Sequence, residues 1–445
     1  MPDTVVIAST CRRMMVQLMR LASWKYLIAP AVVAAVLAVY PEDVQAETLT
    51  LEEVLDEVSE RHETREITEM QIRQSRAMRR QALAALFPQL NASAEVTRQG
   101  GEEVETQVGV IRQRYDWSAG ATTSLTLFDG PAYFEYWRAD ALLEATEYSA
   151  DWQRHLLELE AEVAFYSLAS VQREVEIAEA AIEWRREYLE RAEALREAGM
   201  AVAVDVSRAR TDLLEAEQAL LEAEARLGDT ADSMATLMAR RPDGQLRADF
   251  DPRSVEATVP RQVDPITEAR ADMASRRATI EATELGRRAI WWSLAPRLDL
   301  RLNTRWSETT AFNPDVFNWS VTLAATWNLY DGGARYARAD AAQADVREQE
   351  LVLERELRDA DVDRVQARRS WRTAVAAIEL AREQREVAEE TLEQTMAQFE
   401  VGLVTSLEVS DASQQLLEAE QGLNQRLLEA RLAEVQYRYL QSVPE

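Results

Sequence analysis

A chain of 445 residues with 29% charged, 47% hydrophobic and 7% aromatic side chains has the balance of long helices rather than of a compact α/β core. Its formal net charge of −28 excludes a protein that tracks nucleic-acid backbones, which needs a basic face. Acid in such excess keeps a surface solvated and says little else about function.

The first predicted element is a targeting segment. Arg12, Arg13, Arg20 and Lys25 precede the apolar run from Leu27 to Tyr40, and Val44-Gln45-Ala46 offers small residues at a cleavage site. The run has about 14 residues where a spanning helix needs about 20. Residues 1–46 are therefore expected to be a signal peptide cut after Ala46. They carry Cys11, the single cysteine, and Lys25, the single lysine. The mature chain is left with no thiol chemistry and a net charge of −29.

From Leu49 to Leu86 the pattern is helical, with Leu51, Val54, Leu55 and Val58 on one face, until Pro88 stops it. Gln89 to Arg98 then alternates, Leu90, Ala92, Ala94 and Val96 against Asn91, Ser93, Glu95 and Thr97. A polar loop containing Gly100 and Gly101 leads to a second alternating stretch, Trp117 to Phe128. It ends at Asp129-Gly130-Pro131, a turn that doubles as a helix start. From Ala132 to Ala198 there is no glycine or proline, which predicts a helical rod of about 100 Å. After Gly199 a helix returns with the heptad seam Val206, Ala209, Leu213, Ala216, Leu220, Ala223 and Leu227.

A stretch with Pro242, Gly244, Pro252, Pro260 and Pro265 separates the halves, and the order then repeats. A helix from about Pro265 to Leu294 precedes a strand in which Leu298, Leu300 and Leu302 alternate with Asp299, Arg301 and Asn303. A loop around Pro314 leads to Phe317–Asn328, the clearest strand of the chain. Phe317, Trp319, Val321, Leu323, Ala325 and Trp327 share one face, and polar residues fill the other except at Ala324. A second rod runs from Ala334 to Val401, and after Gly402 a helix returns along Val409, Ala412, Leu416, Ala419 and Leu423. The two returning helices are copies: Asp205–Leu221 and Glu408–Asn424, offset by 203 residues, share ten identical positions, among them an unbroken LLEAEQ. The expected organisation is a first repeat over 47–245, a linker over 246–264 and a second repeat over 265–445.

Strands of about ten to twelve residues with one apolar and one polar face carry the dyad pattern of a transmembrane barrel. Four strands are too few to enclose an aqueous interior, and lipid tolerates no open sheet edge. Three copies give twelve strands that close, and the rods continue beneath as a cylinder twelve helices around. The fold class expected is an α+β membrane protein, mostly long helices in a trimeric α-barrel, with four transmembrane strands per chain in a 12-stranded β-barrel. A periplasmic coiled-coil adaptor or scaffold that never enters the membrane is the alternative. Neither reading contains an enzyme or a cofactor: His62 and His155 lie on helices without partner-ligand spacing, and Asp331-Gly332-Gly333 is a turn signal.

In this order and spacing the chain resembles the TolC family of outer-membrane efflux and secretion channels. The resemblance is carried by Thr48-Leu49-Thr50-Leu51-Glu52-Glu53, by Leu86-Phe87-Pro88-Gln89-Leu90, and by Phe128-Asp129-Gly130 with its copy Tyr330-Asp331-Gly332. Most specific is the run from Phe399 through Val401-Gly402-Leu403-Val404-Thr405 to Ala412. It implies a homotrimeric conduit in the outer membrane whose periplasmic helix tips meet an adaptor protein linked to an inner-membrane pump. Val401, Gly402, Leu403, Val404 and Thr405 match the tip motif for that contact, and Gly199 and Met200 match it more weakly. The family narrows its pore with carboxylates, which places Glu408, Asp411 and Asp205 at the constriction, with Arg208 in the first copy where Asp411 stands in the second. Where some members carry an arginine that ties the tip shut, this chain has Val404, so the resemblance implies an aperture held by packing rather than by a salt bridge to Asp205.

Overall fold

The computed structural model describes residues 47–98, 100, 104–106, 109–112, 115–242, 246–251, 259, 270–307 and 316–441. The expected signal peptide, the Pro314 loop and most of the inter-repeat linker lie outside the described residues. The described part opens with a short strand β1 (Thr48–Leu49) and helix α1 (Leu51–Arg61), capped by a Thr50–Glu53 box.

The single helix expected up to Leu86 is in fact two, because the chain breaks at His62 before α2 (Glu63–Ala84). His62 adopts extended backbone angles (φ −66°, ψ 139°), and its Nδ1 accepts from the Thr64 amide at 3.2 Å. A histidine without partner-ligand spacing in the sequence is thus an N-cap that re-aims the helix.

Strands β2 (Gln89–Arg98), β5 (Tyr115–Phe128), β7 (Arg297–Ser307) and β8 (Phe317–Thr326) form one antiparallel sheet in the order β2-β5-β7-β8. The loop expected between β2 and β5 holds a small hairpin of β3 (Val104–Thr106) and β4 (Gly109–Arg112). Rods α3 (Gly130–Glu197) and α6 (Ala334–Glu400) leave the sheet from β5 and β8. Helices α4 (Ala203–Leu237) and α7 (Ser406–Gln441) return along them, and α5 (Ala271–Trp292) leads into β7. Each half runs helix, sheet strand, sheet strand, rod and returning helix, the first with its leading helix broken in two and the β3–β4 hairpin between its sheet strands.

Each rod changes partners along its length. Near the sheet α3 packs between α2 and α5, and α5 also packs on α6. Arg76 pairs with Glu147 and Arg79 with Asp140 across α2–α3, while Arg276 pairs with Glu356 across α5–α6. Beyond a cluster where Trp152 and His155 meet Tyr439 and Arg270 lies over the Trp152 ring, α4 and α7 take over.

At this level sits the largest core. Val54 and Val58 of α1, Phe165 and Leu168 of α3 and Ala231 and Met234 of α4 are buried together with Val435 of α7. The linker is not a plain connection: Arg247–Ala248 forms β6, pairs in parallel with β1, and sends Leu246 and Ala248 into this core. In the heptad seam of α4 the alanines sink deepest, with Ala209, Ala216 and Ala223 buried and the larger Val206, Leu213 and Leu220 half-buried around them. That lets the helix axes approach closely.

Candidate functional site

The register of the sheet sorts its residues into two faces, since directly opposed residues point the same way. Leu300 lies opposite Leu323, Leu302 opposite Val321, Thr304 opposite Trp319 and Trp306 opposite Phe317. On the other side Leu125 meets Leu300, and Leu90, Ala92, Ala94 and Val96 meet Thr123, Ala121, Ala119 and Trp117. All belong to one apolar face. The opposite face carries Asn91, Ser93 and Glu95, then Ser118, Thr122 and Thr126, then Asp299, Arg301 and Asn303, then Asn318, Ser320 and Thr322.

Cross-strand bonds knit the polar face, Thr122 Oγ1 to Asn303 Oδ1 at 3.0 Å and Thr126 Oγ1 to Asp299 at 3.2 Å. Among the described residues nothing covers the apolar face: Phe317, Trp319, Val321, Leu323, Leu90, Val96 and Trp306 are all exposed. Among the described residues no strand pairs with the outer edge of β2 or of β8. Trp327, expected on this face within the strand, falls just past the end of β8, where its Nε1 donates to the Leu294 carbonyl at 2.9 Å.

At the far end the two rods terminate in matching turns. Gly199 (φ +75°) and Gly402 (φ +76°) take left-handed backbone angles that a side chain would strain. The Met200 amide bonds back to the Leu195 carbonyl at 2.8 Å and the Leu403 amide to the Gln398 carbonyl at 2.9 Å, which closes each helix with a Schellman motif. Met200, Val401 and Leu403 are left exposed at the extremity and Gly402 and Thr405 beside them are bare as well, whereas Val404 is half-buried.

Behind the turns both halves meet. Tyr188 and Ala192 of α3, Ala209 of α4, Met396 and Phe399 of α6 and Val409 of α7 form one buried cluster, with Val404 and Val206 packed on it. The rings of Tyr188 and Phe399 are 5.6 Å apart, and Arg191 pairs with Glu400 at 3.2 Å. Burial, helped by Asp212 and Asp205, pushes the Tyr188 phenol well above its ordinary pKa, so it stays a neutral donor, and its hydroxyl donates to the Ser406 carbonyl at 3.4 Å.

The three carboxylates expected at the constriction are not equivalent. Asp205 Oδ2 accepts from the Val202 amide at 3.0 Å and Oδ1 accepts from the Ser406 hydroxyl at 2.6 Å; Arg208 Nη1 donates to the same hydroxyl at 2.9 Å. Glu408 caps its own helix, accepting from the Thr405 amide at 2.7 Å and the Thr405 hydroxyl at 3.0 Å. These bonds hold the Glu408 carboxyl below its usual pKa of 4.5. The Thr-x-x-Glu spacing is that of a capping box, which gives Glu408 a local role beside the one the resemblance implies. Only Asp411, one turn further on and exposed, makes neither a hydrogen bond nor an ion pair among the described residues.

Ser406 was not anticipated. It is fully buried and joins the first half's Asp205 and Arg208 to the start of α7. Its one signal is its place between the Thr405 cap and the seam residue Val409. Among the described residues no group of three or more His, Cys, Asp or Glu is placed to hold a metal ion, and no helix is long and apolar enough to cross a membrane.

A sheet bare on a continuous apolar face, with two rods of 68 and 67 residues hanging from it, is the architecture of outer-membrane channel proteins. Residues 56–240 and 264–440 match the family described as Outer membrane efflux protein, and the chain belongs to that family. It is 24% identical over 296 residues to the fusaric acid resistance protein FusA of Burkholderia cepacia, a match covering 62% of this chain and 54% of FusA, so the chain spans about half the length of that relative. Its fold matches that of the outer membrane protein VceC of Vibrio cholerae, with a TM-score of 0.73, 18% identity and 88% and 95% of the two chains covered. CusC, a transmembrane channel, matches with a TM-score of 0.78 at 17% identity over 88% of this chain and 91% of its own.

Proposed function

We propose that three copies of this chain close into a passive export duct, a 12-stranded barrel in the outer membrane continued by a helical barrel through the periplasm. The two halves, 47–245 and 265–445, act as structural repeats around the 246–264 connection and occupy like places in the ring. The single observation that carries this reading is the sheet, apolar on one face, polar on the other and, among the described residues, joined by no further strand at either edge. In lipid the apolar face meets acyl chains, the polar face lines water, and the edges must find partners. Energy comes from an inner-membrane pump reached through a periplasmic adaptor. The exposed Met200, Val401 and Leu403 beside Gly199 and Gly402 are the surface that adaptor meets. Drugs, other small molecules, ions or secreted polypeptides are selected by the pump.

The resting aperture is held by the apolar cluster around Tyr188 and Val404 and by the Ser406 hydroxyl between Asp205 and Arg208. Asp411, repeated three times, supplies the negative ring that favours cations, and Glu408 contributes to it from the cap. The decisive experiment is purification in detergent followed by single-channel recording. A detergent-requiring trimer that conducts is expected; a monodisperse monomer, soluble without detergent and silent in bilayers, refutes the duct.

A further inference from the structure

The polar face of the sheet is sorted by charge along its length. Among the described residues its ionisable side chains are Glu95 on β2, Asp116 on β5 and Arg297, Asp299, Arg301 and Arg305 on β7. The register ranks them by height. Arg297 and Asp299 lie at the end from which the rods leave, and Arg301 and Arg305 follow along the strand. Glu95 and Asp116 stand beyond them, opposite Ser118 and Thr97.

The lowest pair is neutralised on the spot. Arg297 Nε donates to Asp299 at 3.0 Å and its Nη1 lies 3.7 Å from Asp129, while the buried Asp299 also accepts from Thr126. Arg301 and Arg305 are different. Both are exposed, and among the described residues neither guanidinium has a hydrogen bond or an ion pair. Their cross-strand neighbours carry no charge: Ser124 and Thr322 flank Arg301, and Gly120 and Asn318 flank Arg305. A Cβ on Gly120 would fall 2.6 Å from the Thr304 carbonyl oxygen, so no side chain can stand beside Arg305 on that strand. Glu95 sits two strands away and one rung higher, where it accepts from Thr97 Oγ1 at 3.3 Å. A chain with 78 acidic residues against 50 basic ones had carboxylates to spare, yet places none against these two arginines.

We propose that Arg301 and Arg305 form an anion-binding band inside the barrel that prefers small polycarboxylates. The proposal rests on the three-copy duct and names what its membrane section holds. With strands about 4.8 Å apart and tilted about 40°, twelve of them enclose a radius of roughly 12 Å. An extended arginine covers about half of that, which brings its guanidinium within a Debye length of the axis, about 8 Å at physiological salt. Each level presents three guanidinium groups, one per copy, and the two levels are about 13 Å apart along β7. One carboxylate engages one guanidinium through paired N–H···O bonds, and a tricarboxylate on the axis engages one from each copy at once. That favours the multivalent ion over chloride. The band has acid on both sides, Glu95 and Asp116 beyond it and Asp411 at the tip, so an anion that reaches it rests in a well between two barriers.

The test is block of single-channel current through the full chain by citrate, added on the barrel side in about 0.15 M potassium chloride. Citrate at about millimolar concentration or below is expected to interrupt the current of the unaltered protein. Replacing both residues, Arg301→Gln with Arg305→Gln, is expected to raise the half-blocking concentration at least about tenfold. Arg305→Gln alone should raise it about threefold, which keeps the effect readable in a barrel carrying one change. Arg301→Lys with Arg305→Lys keeps the charge and is expected to keep the block. Arg98→Gln removes an arginine from the opposite face of the same sheet and should leave the block unchanged. Citrate that leaves a conducting unaltered channel untouched, or that blocks the Gln pair equally well, overturns the band and leaves the duct standing. A Lys pair that loses the block as the Gln pair does makes the two residues structural and overturns the site. An equal loss with Arg98→Gln overturns its assignment to the polar face. A chain that does not conduct at all removes the duct and the band with it.

Discussion

At the tip, helices from both halves converge and bury Tyr188, Ala192, Ala209 and Val409 within one chain, whereas at the sheet Phe317, Trp319, Val321 and Leu323 remain bare. Apolar side chains are therefore covered within the chain at one end and left bare at the other. A region that closes on itself can be tuned by single side chains without loss of the assembly. On the proposed reading, a region completed by lipid and neighbouring copies cannot.

Tyr188→Ala should give the largest effect at the self-sufficient end. Removing a fully buried ring from a packed cluster costs about 3–5 kcal/mol, and the expected result is a raised open-channel conductance and protease cutting near Gly199, with oligomer and membrane insertion retained. At the other end Leu323→Arg places a guanidinium on the lipid face at a cost of about 2–4 kcal/mol and should abolish assembly into the outer membrane. Thr322→Arg, one residue away on the polar face, should insert normally. If the two variants fractionate alike, the assignment of faces is wrong.

Ser406→Ala, which deprives both Asp205 and Arg208 of the hydroxyl between them, should loosen the tip by about 1–3 kcal/mol and raise the open probability in bilayer recordings without altering the fold by circular dichroism. The smallest effect is a pH response. The bonds from Thr405 lower the folded pKa of Glu408, so its capping contribution is fully present above the ordinary value of 4.5 and fades as pH falls through the lower folded value. Channel fluctuations should rise on that acid limb. Glu408→Gln keeps an acceptor but cannot titrate, and should flatten that part of the response.

Long periodicities were legible in the sequence. The absence of glycine and proline gave both rods, strict alternation gave β2, β7 and β8, and the paired glycines gave the turns, because each is a local property repeated often enough to outweigh noise. The break at His62 was not legible: no helix breaker stands there, and only a side chain bonding to Thr64 redirects the chain. The pairing of β6 with β1 joins residues about 200 positions apart through two bonded positions each, too short a signal to read. Ser406 escaped for a related reason. Its role comes from Asp205 and Arg208 on the other hairpin, and adjacency in space between two hairpins leaves no mark on either one's spacing. Glu408 is the opposite case, since its capping pattern is local, but it competed with a resemblance that assigned the residue to the pore.

The change of partners along each rod has a mechanical consequence. The rods alone pass from the sheet to the tip; α2 and α5 stop short of the tip, and α4 and α7 stop near the Trp152–Tyr439 cluster. The rod α3 is a beam spliced at mid-length, gripped by α2 and α5 above the splice and by α4 and α7 below it, while α6 passes from α5 to α7. A sideways swing of the returning helices can then be absorbed as bending at the splice, and the membrane end need not feel the load.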